Sequence, residues 1–363
     1  MFLDNGDSAE FYPLNALKKV QELHFGVRTI AKQWQEVLRD NPQIQIHSRL
    51  LPTQDNVSDV LGLMDGDGWT RHGELVAMRG NEAVNLKELP DDALWLKDAA
   101  HLFELCGVGL AEDLSRLQLA WRLRALQENE REAWQAQGVQ IHGPMSSVWL
   151  APGAVLRDVS LNTEEGPVVV GPDAEIMEGC RVRGPFALGD GSQLRMGTLV
   201  YGATTVGQGC KMGGELSNVV VHDWSNKAHG GFLGNAVLGS WCNLGAETTC
   251  SNLKNTYGVI AEWSEGSQSF ESKGRQFCGL LMGDHSKTAI HTAFSTATVV
   301  GVMANVFGDQ TPPRHVQSFQ WGVDGTARID LDKGLEVARK VMARRKRNMS
   351  TDEEHAIRAL FSR

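Results

Sequence analysis

The chain has 363 residues, of which 22% are charged, and a formal net charge of -9. That acidic balance excludes a broad nucleic-acid-binding face, which needs a basic surface, yet leaves room for a local basic pocket suited to a sugar phosphate or a coenzyme. No apolar stretch reaches the roughly 18 residues of a membrane span, and the start, MFLDNGDSAEFYP, lacks the basic-then-apolar layout of a secretion signal; the expectation is a cytoplasmic protein with neither nucleic-acid nor membrane partners.

Residues 1–138 mix short apolar runs with helix-like segments and read as a small α/β layer. In RTIAKQWQEVLR, Ile30, Trp34, Val37 and Leu38 recur at helical spacing. A strand is expected in IQIHSRLLP (Ile44 to Pro52), and Ala99 to Ala136 reads as one or two helices broken near Gly107 to Gly109. This layer is small for a nucleotide-binding domain.

From Val139 the periodicity changes. Val170, Ile176, Val182, Leu188, Leu194, Val200, Val206 and Met212 recur at a strict step of six residues. Neither a helix nor a single strand produces that step; a β-helix does, when each flat face of a coil takes six residues and sends one of them inward. Four of these residues precede glycine, and 24 of the 39 glycines lie between Gly166 and Gly308, as tight corners require. The phase breaks between Met212 and Leu238, and the sequence places extra loop length near HDWSNKAHGGF. Leu238, Leu244 and Cys250 resume the repeat, a polar excursion spans Glu262 to Gln276, and Met282, Thr288, Phe294, Val300 and Val306 complete it. The solenoid is expected over 139–312, ending at Pro312 and Pro313. A C-terminal extension over 313–363 is helical from Ile329, with an apolar stripe of Leu335, Val337, Ala338, Val341 and Met342, and its ARKVMARRKR run reads as a solvated or phosphate-facing surface.

Six cysteines show no CxxC pairing, and five lie among the repeats, where small apolar side chains are wanted, so they are expected as reduced packing residues. Chemistry concentrates in Ser225 to Asn255, which gathers Lys227, His229, Asn243, Asn252 and Lys254. His229 stands in a Gly-flanked loop outside the inward hexad positions. An imidazole titrating near ~6.5 can take a proton from an amine or hydroxyl nucleophile at neutral pH; by spacing alone it can equally be a loop hydrogen-bonding residue.

The hexads together with NKAHGGFLGN, CNLGAET and CSNLKN resemble the acetyltransferase half of the bifunctional N-acetylglucosamine-1-phosphate uridyltransferase/glucosamine-1-phosphate N-acetyltransferases. GPFALGDGSQLRMGTLVYGATTVG, GGELSN, FCGLLMGDHSKTAIHT and SFQWG are similar to an alternative, mostly Bacteroidetes branch of that type, strongly over about residues 140 to 325 and more weakly in FYPLNALKKVQELHFGVRTI and SRLLP. The resemblance implies a left-handed parallel β-helix, a homotrimer, and acetyl-CoA held between neighbouring subunits. It makes residues 1–138 a reduced nucleotidyltransferase-like domain. It implies His229 as the catalytic base, Phe232 at the family's substrate tyrosine, and Asn243 and Asn252 as the substrate asparagines fourteen and twenty-three residues further on. Arg195, Lys211, Lys227 and Lys254 are the candidate cations for the substrate, and Ser286 and Lys287 the candidates for acetyl-CoA. Two departures stand out. Residues 1 to 30 have no Gly-rich, basic phosphate loop, with Leu17, Lys18 and Lys19 in place of a Thr-Arg-Pro, which leaves Lys18 as the candidate nucleotide contact. In the acetyltransferase half the family's phosphate-gripping Arg and substrate Tyr are not at their expected places, Phe232 replacing the Tyr and Arg195, Lys211 and Lys254 standing as the alternative source of charge.

The expected function is therefore acetyl-CoA-dependent N-acetylation of an amino-sugar phosphate in sugar-nucleotide biosynthesis, with residual nucleotidyl transfer, and magnesium, only if the N-terminal domain retains it. Three alternatives remain open: a sugar-nucleotide binder without catalysis, uridyl or thymidylyl transfer through unfamiliar residues, and a trimeric zinc lyase of the γ-carbonic-anhydrase type drawing on His222, His229, His285 and His291.

Overall fold

A computed structural model describes residues 1–3 and 9–363. Its centre is a three-faced parallel β-helix. The first face stacks Val148–Leu150, Val168–Val170, Phe186–Leu188 and Thr204–Val206 in parallel register and continues through Leu280–Met282 and Thr298–Val300. Val155–Leu156, Glu175–Ile176, Gln193–Leu194, Lys211–Met212 and Asn226–Lys227 build the second face. The third face runs from Gln140–His142 through Arg181–Arg183 and Glu215 to Phe232. All eight residues of the six-step run are at most 3% exposed and belong to one continuous core. Each buried aliphatic contributes about 1.5–3 kcal/mol, so the column of inward residues is what holds coil on coil.

The break in phase is a shortening of the coil and not an added loop. Val170, Leu188 and Val206 are eighteen residues apart on the first face, whereas Val206 pairs with Val221 and Val221 with Leu238, fifteen and seventeen residues on. Two residues are lost at the corner between the second and third faces, where Leu216 follows Met212 by four residues instead of six, and one more is lost at each passage from the third face to the first, where Glu215–Val221 and Phe232–Leu238 run straight through as seven-residue strands. There Asn218 (φ 57°) and Asn235 (φ 46°) turn the chain in a single residue. Asparagine tolerates this left-handed conformation because its short amide can hydrogen-bond locally. The polar excursion forms an antiparallel hairpin, Ala261–Ser264 with Ser269–Ser272. Parallel pairing continues past Pro312 and Pro313, where the sequence reading ends the solenoid: His315 and Val316 join the first face, and Trp321 pairs with Asn305 on the second.

The N-terminal part carries helices α1 (Ile30–Val37), α2 (Gln54–Leu61), α3 (His101–Glu104), α4 (Cys106–Ala120) and α5 (Arg131–Ala136). Its four-stranded sheet is short, with two antiparallel pairings and one parallel. This layer lies on the outside of the first face. Val220, Val237, Leu281 and Val299 share a core with Phe11, Trp34 and Phe103, while Val169 and Ala187 pack with Leu110 and Leu117 of α4. That is why the first face is apolar on both sides. Gly107 and Gly109 lie inside α4 and do not break it. A Cβ on Gly109 would stand 2.6 Å from the Gly26 amide, so this glycine permits close approach; the helix boundaries fall instead at Leu105 and after Ala120.

The C-terminal extension forms two helices, α6 (Leu331–Arg344), capped by Asp330, and α7 (Thr351–Phe361), capped by Ser350 with a reciprocal Glu353. Leu335, Ala338, Met342 and Ile357 bury against Val302, Met303 and Phe319 of the corner between the first and second faces. All six cysteines are buried and unpaired, and burial pushes the Cys106, Cys242 and Cys250 thiols up to about 12. Among the described residues no helix is long and apolar enough to cross a membrane.

Candidate active site

Lys227 occupies an inward position, in register with Met212, where the hexad pattern calls for a hydrophobe. Its ammonium donates to the carbonyls of Gly213 (3.2 Å), His229 (3.1 Å), Gly230 (3.0 Å) and Gly231 (2.7 Å). Burial lowers its pKa from 10.5 to about 8 against the opposing pull of Glu247. Lys227 is 1% exposed, and its donors are spent on the backbone; it is thus a tether for the loop and not the substrate contact expected from the sequence. The tether fixes the loop Ala228–Gly231 at the corner between the second and third faces, with the His229 ring exposed. Gly231 is required, since its φ is 100° and a Cβ there would collide with the Thr248 carbonyl, while a Cβ on Gly230 would displace the Glu247 carboxylate.

Beside this corner the second face is polar. Asn226 pairs with Asn243, and Asn243 with Lys287, so Asn243 is exposed on the face that His229 borders. One coil before, Lys211 pairs with Gln193 and with Asn226. Arg195 is half-buried, and its guanidinium reaches the Gln193 side chain at 3.4 Å. Burial lowers the Lys211 pKa, and Arg345, Arg195 and Arg344 lower it further. The sequence reading left Arg344 and Arg345 in an undivided basic run; α6 delivers them here, with Arg345 donating to the Gly209 carbonyl (3.0 Å) and to Asn226 Oδ1 (2.8 Å). His229, Asn243, Arg195 and Lys211 therefore share one side of the β-helix.

The other candidates are not gathered there. Asn252 sits at the far edge of the third face, where its amide donates to Asn235 Oδ1 at 2.7 Å. Asn235 in turn donates to Asn218, making a ladder of three corner asparagines. Phe232 lies on the third face with its ring over Gly234, next to the Asn252 amide. Lys254 bonds the Val259 carbonyl within its own loop. Ser286 is fully buried, donating to the Gly301 carbonyl and accepting from the Ala304 amide; Ser192 and Ser225 make the same pair of bonds in earlier coils. Ser286 is therefore a repeated corner fastener, out of reach of a coenzyme. Lys287 bonds the His285 carbonyl and lines a cleft of about 420 Å³ between the second face and α6, with Met303, Trp321, Ile329 and Val337. Lys18 is committed to Asp284 (3.0 Å) and Ser240, so its ammonium is not a free phosphate contact.

The four histidines weighed for zinc are divided between two corners of the β-helix. His222 Nε2 accepts from the His24 amide and Nδ1 donates to the Leu238 carbonyl, and burial holds its pKa well below the usual range. His285 turns the corner between the first and second faces, while His291 and His229 lie at the corner between the second and third. Among the described residues no three metal-binding side chains of one chain converge.

No family model matches the chain. It is similar to the bifunctional GlmU protein of Synechococcus elongatus, with 30% identity over 168 residues, 38% of this chain and 35% of that protein. The GlmU protein of Synechococcus sp. (strain JA-3-3Ab) is 26% identical over 254 residues, 64% of this chain and 36% of the relative. The chain thus spans little more than a third of the curated relatives it matches. Among solved structures, an Arabidopsis UDP-N-acetylglucosamine acyltransferase aligns over 58% of this chain and 78% of its own, at 15% identity and a TM-score of 0.26.

Proposed function

We propose that the chain is a cytoplasmic transferase that moves an acetyl group from acetyl-CoA to the amino group of an amino-sugar phosphate of the glucosamine 1-phosphate kind, in sugar-nucleotide biosynthesis. One observation carries this reading: an exposed imidazole, His229, on a glycine loop tethered by Lys227, at the edge of a polar face that bears cations. The similarity to bifunctional GlmU proteins supports it.

His229 acts as general base. A protonated amine has no lone pair to offer, so a base fixed beside it keeps the nucleophile available and takes its proton as the bond forms. The amine nitrogen attacks the thioester carbonyl, the new C–N bond forms, the C–S bond breaks, and the thiol leaves with a proton returned through the base. The developing oxyanion needs a donor, and the exposed Asn243 amide or a corner backbone N–H is positioned on the right face to act. No cysteine takes part, since all six thiols are buried.

One chain leaves this corner open. Met196 (70% exposed) precedes it and Ile290 (65%) follows it along the same edge. Large apolar side chains aligned beside a polar site favour burial against a neighbour, so we read the working form as a homotrimer in which a second chain completes each crevice and supplies the groups, Asn252 among them, that lie on the far edge of the third face. Incubation with acetyl-CoA and a panel of amino-sugar phosphates tests the activity. Thiol release that depends on the amino sugar, with an N-acetylated product by mass spectrometry, is expected; no release with any member of the panel would overturn the reading.

A further inference from the structure

The second face carries a charge imbalance that the fold itself does not require. On three successive coils Gln193, Lys211 and Asn226 stand one above the other. Arg195 touches the lowest of these rungs through Gln193 Oε1, and Arg345 grips the highest through Asn226 Oδ1 while also holding the Gly209 carbonyl. Two guanidinium groups are thereby set on either side of the Lys211 ammonium. Adjacent coils of a β-sheet ladder lie about 4.8 Å apart, so the rungs that Arg195 and Arg345 touch are each within one Debye length of the Lys211 rung at physiological salt. Arg344 adds a fourth charge to the field at Lys211. Among the described residues none of the four has an ion-pair partner, although the chain as a whole is acidic, and elsewhere α6 does pair its cations: Arg339 with Glu354 and Lys340 with Glu336.

Like charges held together without a counter-ion are destabilising unless something anionic joins them. Structural need does not explain the arrangement either. Among the described residues Arg345 bonds only neutral acceptors, as a glutamine could, and the Lys211 ammonium has no hydrogen-bond partner. What the set does offer is forked donors flanking a point charge, the geometry that matches a tetrahedral oxyanion dianion.

We infer that Arg345, delivered by α6, joins Lys211 and Arg195 in a phosphate site on the second face, so that the C-terminal helix is part of the substrate-binding apparatus. The ligand is a phosphate ester. Resting on the acetyl-transfer reading, the phosphate is that of the amino-sugar acceptor, which would hold the amine toward His229; the phosphates of the acyl donor are the other source of the same chemistry. Placement on α6 has a consequence for folding order: the site exists only when the helix is docked through Leu335, Ala338 and Met342.

The test is direct binding, measured by calorimetry on the full chain without acyl donor, using glucosamine 1-phosphate, glucosamine 6-phosphate, glucosamine and inorganic phosphate. Charge-assisted hydrogen bonds predict a loss of about tenfold or more in Arg345→Ala and Lys211→Ala. Lys340→Ala, a paired cation on the same helix, should stay within about twofold, and circular dichroism with thermal melts confirms that each variant is folded. His229→Ala should bind as wild type does, which separates this site from the acetyl-transfer reading. In turnover assays, a raised KM for the amino-sugar phosphate alone assigns the acceptor's phosphate, and a raised KM for acetyl-CoA alone assigns the donor's; both keep the phosphate site. Phosphorylated ligands that bind no better than glucosamine, or an Arg345→Ala variant that binds them as wild type does, would overturn it.

Discussion

Lys227 shows how one residue can defeat and then repay a pattern. The hexad rule demands a hydrophobe in register with Met212, and a buried ammonium there is costly; four carbonyls offset that cost and fix the His229 loop. Replacement by methionine should fill the same column, preserving the coil, while kcat for acetyl transfer falls about tenfold or more with little change in KM, because the base is no longer held in place. A second readout separates this from general damage. The folded pKa of Lys227 is lowered to about 8 from 10.5, so between those values the unfolded chain binds more protons than the folded one and stability rises with pH. Denaturant unfolding across that window should show the rise in wild type and lose this contribution in Lys227→Met. A variant that keeps full activity would show that the tether is dispensable.

At this scale the sequence was informative where chemistry and pattern coincided. His229 stands out because it lies outside the inward column, just before Gly230 and Gly231, and the structure leaves it exposed. Lys227, Ser286 and Lys18 carry bonds that the sequence does not reveal, because hydrogen-bond partners far apart in sequence decide whether a polar side chain is available. Ser286 finds Gly301 and Ala304, and Lys18 finds Asp284. Repetition was the missed signal for Ser286, since Ser192 and Ser225 recur at the same corner.

Among the elements, the hexad strands were readable and the corner geometry was not. Eight aliphatics at one spacing identify a face width, but nothing in that spacing reveals that Asn218 and Asn235 each turn a corner in one residue and shorten two coils. Glycines misled for a related reason: Gly107 and Gly109 both lie within α4, and Gly109 is there because the helix packs too closely on Phe25 and Gly26 for a Cβ. The corner account predicts that Asn235→Ala destabilises by about 1–2 kcal/mol, the cost of a left-handed residue without a compensating amide. Asn235→Gly should recover part of that loss in denaturant unfolding, because glycine enters positive φ freely. Equal stability of the two variants would mean that the ladder to Asn252, and not the backbone, is what Asn235 supplies.

For the whole molecule, the N-terminal layer and the β-helix form one packed body, since the outward residues of the first face complete the N-terminal core. The hairpin excursion is fastened to that layer by Arg275, which meets Asp98, Glu104 and Glu262. With the first face covered and α6 lying on part of the second, the proposed homotrimer uses the exposed corner at His229 for contact with another chain. Light scattering on wild type should therefore report three chains, and Ile290→Glu, which places a charge at that edge, should shift the population toward monomer with loss of activity. A wild-type monomer that turns over would contradict the shared crevice.

In the proposed reaction the exposed imidazole of His229 at the corner does the chemistry. The most direct measurement of that role is kcat/KM for acetyl transfer in His229→Ala beside wild type, with thiol release followed under the same conditions and folding verified by thermal melt. General-base catalysis predicts a fall of about 10²- to 10⁴-fold, with the phosphate ligand still bound. A folded variant whose kcat/KM stays within a few-fold of wild type would contradict the account.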